Sequence, residues 1–169
     1  MIIEEKLGVV HQFEIPDEWH AEKRLDLGER QISVFRAATN NDILFCHLYR
    51  DVELSRGDAE KFQTALYAPF HELSETEIQD LEPVIEGLSN KEVFEIKLAD
   101  TAYVNERRVI RIKGNWLAQG LSTMSCFIDN GGKGRKVQNL YFAAPTGQLE
   151  LHEKLADKIF LSIKWQASQ

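Results

Sequence analysis

The sequence predicts an α+β protein, an antiparallel meander sheet with helices packed on its faces. Three observations carry that expectation. Between residues 91 and 145 apolar residues recur with a period of two, in four runs divided by short polar breaks. Between residues 56 and 88 the period is three to four, with a helix-capping box inside it. A second stripe of helical spacing, Leu151, Leu155, Ile159 and Phe160, follows the last run. Strands gathered in one stretch, with helices before and after, favour α+β over a regular βαβ alternation.

Taken in order, "GVVHQFEIP" (8–16) alternates loosely and stops at Pro16, which has no N–H to give a ladder, so it reads as an initial strand. "DEWHAEKRLDLGE" is polar and aperiodic, a connector. "RQISVFRAA" (30–38) and "DILFCHLYRDVE" (42–53) read as strands joined through the turn signal Asn40-Asn41, hence as a hairpin. "RGDAEKFQTALYAPF" sets Ala59, Phe62, Ala65 and Leu66 on one helical face until Pro69 ends it. A second helix starts at the box Ser74-x-x-Glu77 and carries Ile78, Leu81, Ile85 and Leu88, with a kink expected at Pro83. Its C-terminus falls at Gly87 or Asn90.

The four runs of the meander are "EVFEIKLADTAYV", "RRVIRIKGNWL", "GLSTMSCFIDN" and "KVQNLYFAAP", divided by "NE", "AQG" and "GGKGR". In the second run Ile110, Ile112 and Trp116 share one face, while Arg107, Val109, Arg111 and Lys113 share the other. That pattern predicts a sheet with an apolar inner face and a cationic, wet outer face. The final "SIKW" returns to extended alternation through Ile163 and Trp165.

At 169 residues the chain reads as one domain, 1–169, of ordinary globular composition, 43% apolar and 28% charged. No run approaches the ~20 apolar residues of a membrane helix. Acidic residues occupy the amino-terminal stretch where a secretory leader would be basic, so a cytoplasmic location is expected. The net charge of −7 argues against a nucleic-acid partner. It is unevenly spread: residues 105–136 hold seven Lys/Arg against Glu106 and Asp129, a local +5, which leaves −12 for the rest. Such asymmetry can steer a protein partner.

The chemistry is sparse. Gly131, Gly132 and Gly134 suggest a phosphate loop, but they lie between two strands, and no Ser or Thr follows Lys133. A P-loop needs a helix N-terminus there, so a hairpin turn is the better reading. The five histidines are scattered without metal spacing, and no cofactor motif is present. Ser122, Ser125 and Ser162 lack a nucleophile elbow. Cys46 and Cys126 sit in strand runs and read as buried thiols, a disulfide or reactive thiol being the other options. Two readings of the aromatics stay open. Trp19, Tyr103 and Trp116 can form a recognition surface beside Arg107, Arg111 and Lys113, or the tryptophans can close the core.

"FEIPDEW" (13–19), "TAYVNERRVIRIKGNW" (101–116), "LYFAAP" (140–145) and "KIFLSIKW" (158–165), in this order of elements, resemble the PsbP-like α/β/α superfamily. That group includes the photosystem II extrinsic subunit, a yeast Ran-binding transport factor and bacterial chaperones of type VI secretion effectors. The "IPDEW" opening is similar to that of the chaperones; the longer helical middle and basic meander depart from it. The resemblance implies an α/β/α sandwich and transfers no catalytic residue. It implies a non-enzymatic, cytoplasmic bacterial protein-binding module: an adaptor, effector chaperone or toxin-neutralising partner. The partner is then a protein, with a second copy of the chain among the options. The competing expectation is a small-ligand protein or enzyme with a pocket between sheet and helices.

Overall fold

The computed structural model describes residues 1–131 and 133–166. The amino-terminal strands β1 (Ile2–Leu7) and β2 (Val10–Glu14) form a hairpin, and two short strands follow, β3 (His20–Ala21) and β4 (Leu25–Asp26). Next come β5 (Arg30–Arg36), β6 (Leu44–Arg50), helix α1 (Arg56–Tyr67) and helix α2 (Glu75–Asp80). The meander is β7 (Phe94–Val104), β8 (Arg107–Trp116), β9 (Leu121–Asn130) and β10 (Lys136–Pro145). A 3-10 turn at Leu149–His152 leads into α3 (Glu153–Leu161), and β11 (Lys164–Trp165) ends the described chain.

The main sheet is antiparallel, in the order β3-β5-β6-β10-β9-β8-β7, with β4 also on β5. A small sheet, β1-β2-β11, is separate from it. Both faces of the main sheet carry a core, as the alternation in β9 shows. Met124, Cys126 and Ile128 join Phe13, Phe45 and Phe160 beneath the small sheet and α3. Phe127 joins Ile110, Ile112, Phe62 and Leu66 beneath α1 and the 81–88 segment. The first is the sealed face and the second the helix face.

The helices begin as their sequences direct. Ser55 accepts the Asp58 N–H at α1, and Ser74 and Glu77 form the expected box at α2. Ala68 is extended because Pro69 follows it, so α1 stops there. The second helix is shorter than its stripe implied. Only Glu75–Asp80 is helical, since Pro83 lacks an N–H and its ring would strike the residue four back. Leu81, Val84, Ile85 and Leu88 are buried all the same, carried by successive turns.

Other expectations change as well. β1 arises ahead of the initial strand expected at 8–16, and the short β3 and β4 arise within the stretch expected to be a connector. Leu151 is exposed, because the 3-10 turn puts it out of phase with Ala156, Ile159 and Phe160 of α3. The outer face of β8 is not an open cationic face: Val109 is fully buried in the sealed-face core, and α3 and the small sheet lie over it. The glycine stretch is a turn between β9 and β10, folded back onto α1; Gly132 lies outside the described residues. A Cβ on Gly134 would collide with Gln63 and lie 2.8 Å from the Ala59 carbonyl, at a φ of +66°. Glycine is therefore required there for close approach as well as for turn geometry.

Candidate functional site

Three places on the molecule gather chemistry: a buried polar cluster, an aromatic surface at the end of α1, and a groove on the helix face. The buried cluster has the most catalytic look. Glu5 and His47 are both buried, and the Glu5 carboxylate accepts from His47 Nδ1 at 3.0 Å, Ser33 Oγ at 3.2 Å and Arg24 Nη2 at 3.0 Å. The Gln138 carbonyl accepts the Val9 N–H, so its amide nitrogen donates to Leu7 O and to His47 Nε2 at 2.8 Å. That fixes His47 as the tautomer protonated at Nδ1. Burial alone would raise the Glu5 carboxyl, but the contacts with His47, Arg24 and Ser33 outweigh it and hold it below its ordinary value. With His47 shut off from solvent, the cluster fastens the β1–β2 hairpin to the main sheet and offers a substrate no access.

The expected recognition residues separate. Trp19 is 5% exposed, in the sealed-face core beside Phe142, and so is not part of a surface. Arg111 makes two hydrogen bonds to Asp100, at 3.0 and 2.6 Å, and Lys113 pairs with Glu153 at the start of α3. Trp116 stacks on Phe94 and donates to Thr123 Oγ1 at the edge of the groove. Arg107 lies over the Trp165 ring, 5.2 Å from its centroid. Tyr103 stands on the opposite face from Arg107. The two-residue turn Asn105-Glu106, both at positive φ, pairs Val104 with Arg107 and Tyr103 with Arg108.

Around Tyr103 the structure assembles residues that were not anticipated. Phe70 and Tyr103, 50% and 59% exposed, meet edge to face at 4.8 Å. Arg108 lies 4.4 Å over the Phe70 ring. Its guanidinium donates to Leu66 O at 3.0 Å and to Ala68 O, capping the carbonyl end of α1. Tyr67 is half exposed beside them and donates its O–H to Asp129 at 3.0 Å; burial first, and Asp129 second, raise its phenol above the ordinary value. Asp129 also accepts the Gly134 N–H, so the hairpin tip and α1 are tied together beneath this surface.

The groove opens where α1 and the 81–88 segment leave the helix face bare. It has a volume of about 380 Å³, and its wall and floor include Leu48, Ile85, Phe127, Val137 and Tyr141. Arg30 and Arg50, direct neighbours across β5 and β6, stand at one end with Glu86. Burial, and then the like charge of Arg30, pull the Arg50 guanidinium below its ordinary value, and Arg50 donates to Val84 O at 3.3 Å. Asn139 also lines the groove, and its Oδ1 is buried with no hydrogen-bond partner among the described residues.

Remaining candidates have quieter roles. Burial pushes the Cys46 thiol up to about 11 and the Cys126 thiol up to about 12, so both are inert at neutral pH. Arg135 and Lys136, beside the glycine turn, pair with Glu53 and Asp51. Among the described residues, no three or more His, Cys, Asp or Glu gather as metal ligands, and no helix is long and apolar enough to cross a membrane.

No family model matches the sequence, and no curated protein matches it. Solved structures do match in shape. The structure is similar to cyanobacterial PsbP (CyanoP) from Synechocystis, with a TM-score of 0.62 at 13% identity, covering 98% of this chain and 92% of that one. A Bacteroides thetaiotaomicron protein gives 0.47 at 13% identity, covering 93% of this chain and 45% of that one. LpqN of Mycobacterium tuberculosis, involved in cell envelope biogenesis, gives 0.45 at 12% identity, covering 99% and 90%. The antiparallel sheet between two covering layers, together with the CyanoP superposition, shows that this chain has the PsbP-like α+β fold.

Proposed function

We propose that the chain is a non-enzymatic protein-binding module of the bacterial cytoplasm, an adaptor, effector chaperone or toxin-neutralising partner. The observation that carries this reading is the aromatic surface at the end of α1. Phe70, Tyr103 and Tyr67 stand half exposed around an arginine whose guanidinium is already fixed. Tyrosine and arginine are enriched where interfaces concentrate their binding energy, and a side chain ordered in advance loses little entropy on docking.

Affinity capture from the native host, compared between the wild type and the Phe70→Ser/Tyr103→Ser variant, tests the reading. A protein retained by the wild type and lost at least about tenfold by the variant supports it, since two such anchors are each worth about 2 kcal/mol. An identical retained set would sink it. Light scattering across concentration tells whether the retained protein is a second copy of this chain, and cell fractionation checks the location.

A further inference from the structure

We infer that the groove on the helix face binds a small amphipathic organic anion. Its carboxylate or similar head would meet Arg30 and Arg50, its apolar body would lie over Leu48 and Ile85, and a hydroxyl or amide would meet Asn139. The inference goes beyond the protein-binding reading and rests on a different part of the molecule.

The arginines make the case by comparison with their fellows. Arg24, Arg36, Arg56, Arg111 and Arg135 each meet a carboxylate. Arg107 and Arg108 lie over aromatic rings. Arg30 and Arg50 make no salt bridge and meet no ring among the described residues, and they face each other across adjacent strands; Glu86, which lines the same groove, acts on Arg50 without forming such a bridge. Like charges directly opposite on a sheet destabilise it, and an anion between them removes that cost. The chain as a whole carries −7, whereas the groove lining sets Arg30 and Arg50 against Glu86. An anion steered there would be repelled over much of the remaining surface.

The second observation is the Asn139 side chain. Its Oδ1 is excluded from water yet unpartnered among the described residues, and a buried amide left so costs free energy. Asn139 is paired with Leu48, two residues before Arg50 on the same strand. The diagonal between Asn139 and Arg50 is therefore about 7–8 Å, the span of a small ring or short chain. The third is the lining: Leu48, Val84, Ile85, Leu121 and Phe127 supply apolar walls within a volume of about 380 Å³, towards the small end of ligand pockets. Charged rim, apolar body and deep polar group together define an amphipathic anion; a bare phosphate or sulfate would leave the walls and Asn139 unused.

The probe is anilinonaphthalene sulfonate, which carries an anionic head, an aromatic body and an N–H, set against phenylnaphthylamine, which lacks the head. The folded protein should bind one sulfonate dye, and Arg30→Gln/Arg50→Gln should weaken it about tenfold or more while changing the neutral dye less than about twofold. Leu48→Trp, which fills the floor, should remove both dyes. In saturating dye the Asn139 side-chain amide resonance should shift; this readout uses unaltered protein and decides the matter even if a variant fails to fold. An unmoved amide resonance overturns the proposal, as does sulfonate-dye affinity that survives either the arginine pair or the tryptophan.

Discussion

The two faces of the main sheet hold similar inventories of polar residues and use them in opposite ways. On the sealed face, Glu5, His47, Ser33, Gln138 and Arg24 are joined in one hydrogen-bonded cluster. On the helix face, Arg30 and Arg50 form no salt bridge among the described residues, Arg50 donating only to the Val84 carbonyl, and Asn139 Oδ1 has no hydrogen-bond partner. A histidine and carboxylate at hydrogen-bond distance suggest catalysis on paper, yet here they act as a clasp. The residues with free bonding capacity fall in none of the motifs read from the sequence. Availability, rather than residue type, separates a functional polar group from a structural one.

The contrast has measurable edges. Phe45→Ala should cost about 4 kcal/mol in urea unfolding, because the ring is fully buried against Phe13 and Phe160. Leu48→Ala, three residues along the same strand and beside the groove, should cost about 1 kcal/mol; equal losses would mean that the groove is packed like the sealed face.

Glu5→Leu should cost about 3 kcal/mol, since it leaves the buried Ser33 and His47 without their carboxylate partner, while the part-exposed Arg24 turns to solvent. The native carboxyl sits below its ordinary 4.5, so its contribution is complete above that pH and is lost as pH falls through the lower folded value. The gap between wild type and variant should therefore be constant near neutrality and shrink below pH 4.5; a gap that widens on acidification would break the assignment.

Gly134→Ala should cost about 2 kcal/mol, combining positive φ with the approach to Ala59. Dichroism-monitored melting reads it, and a neutral outcome would free the hairpin tip from α1. Smallest is Arg107→Glu, expected within about 0.5 kcal/mol, against a loss of about 1 kcal/mol or more for Arg111→Glu, which sets a second carboxylate beside the 16%-exposed Asp100.

Much of this architecture is legible in the sequence. The period-two runs mark β5 to β10, the 3.6 period marks α1 and most of α3, and Ser74-x-x-Glu77 marks the start of α2. β1 escapes because one of its inward positions is Glu5, which looks like a surface residue until His47 and Arg24 are brought to it. The aromatic surface was half legible. Tyr103 stands out, and counting outward from the two-residue turn would have set it opposite Arg108 rather than beside Arg107. Phe70 gives no signal, since its place depends on how the chain leaves α1 after Pro69. A pocket between sheet and helices was among the expectations, but its lining was not legible: the register that opposes Arg30 to Arg50 is set across a loop of seven residues, 37–43, and no local rule fixes such a register.

One consequence concerns time rather than place. β11 joins the small sheet through Lys164 and Gln12, partners separated by most of the chain. Phe160 and Ile163 complete the same core. The sealed face therefore has no finished cover until synthesis has passed residue 165, and long-range pairing of this kind closes slowly. A nascent chain halted before α3 should expose Phe45 and Phe142 to chaperones and proteases, whereas α1 can already lie on the meander. The best-protected side of the native protein would then be its most vulnerable side during manufacture.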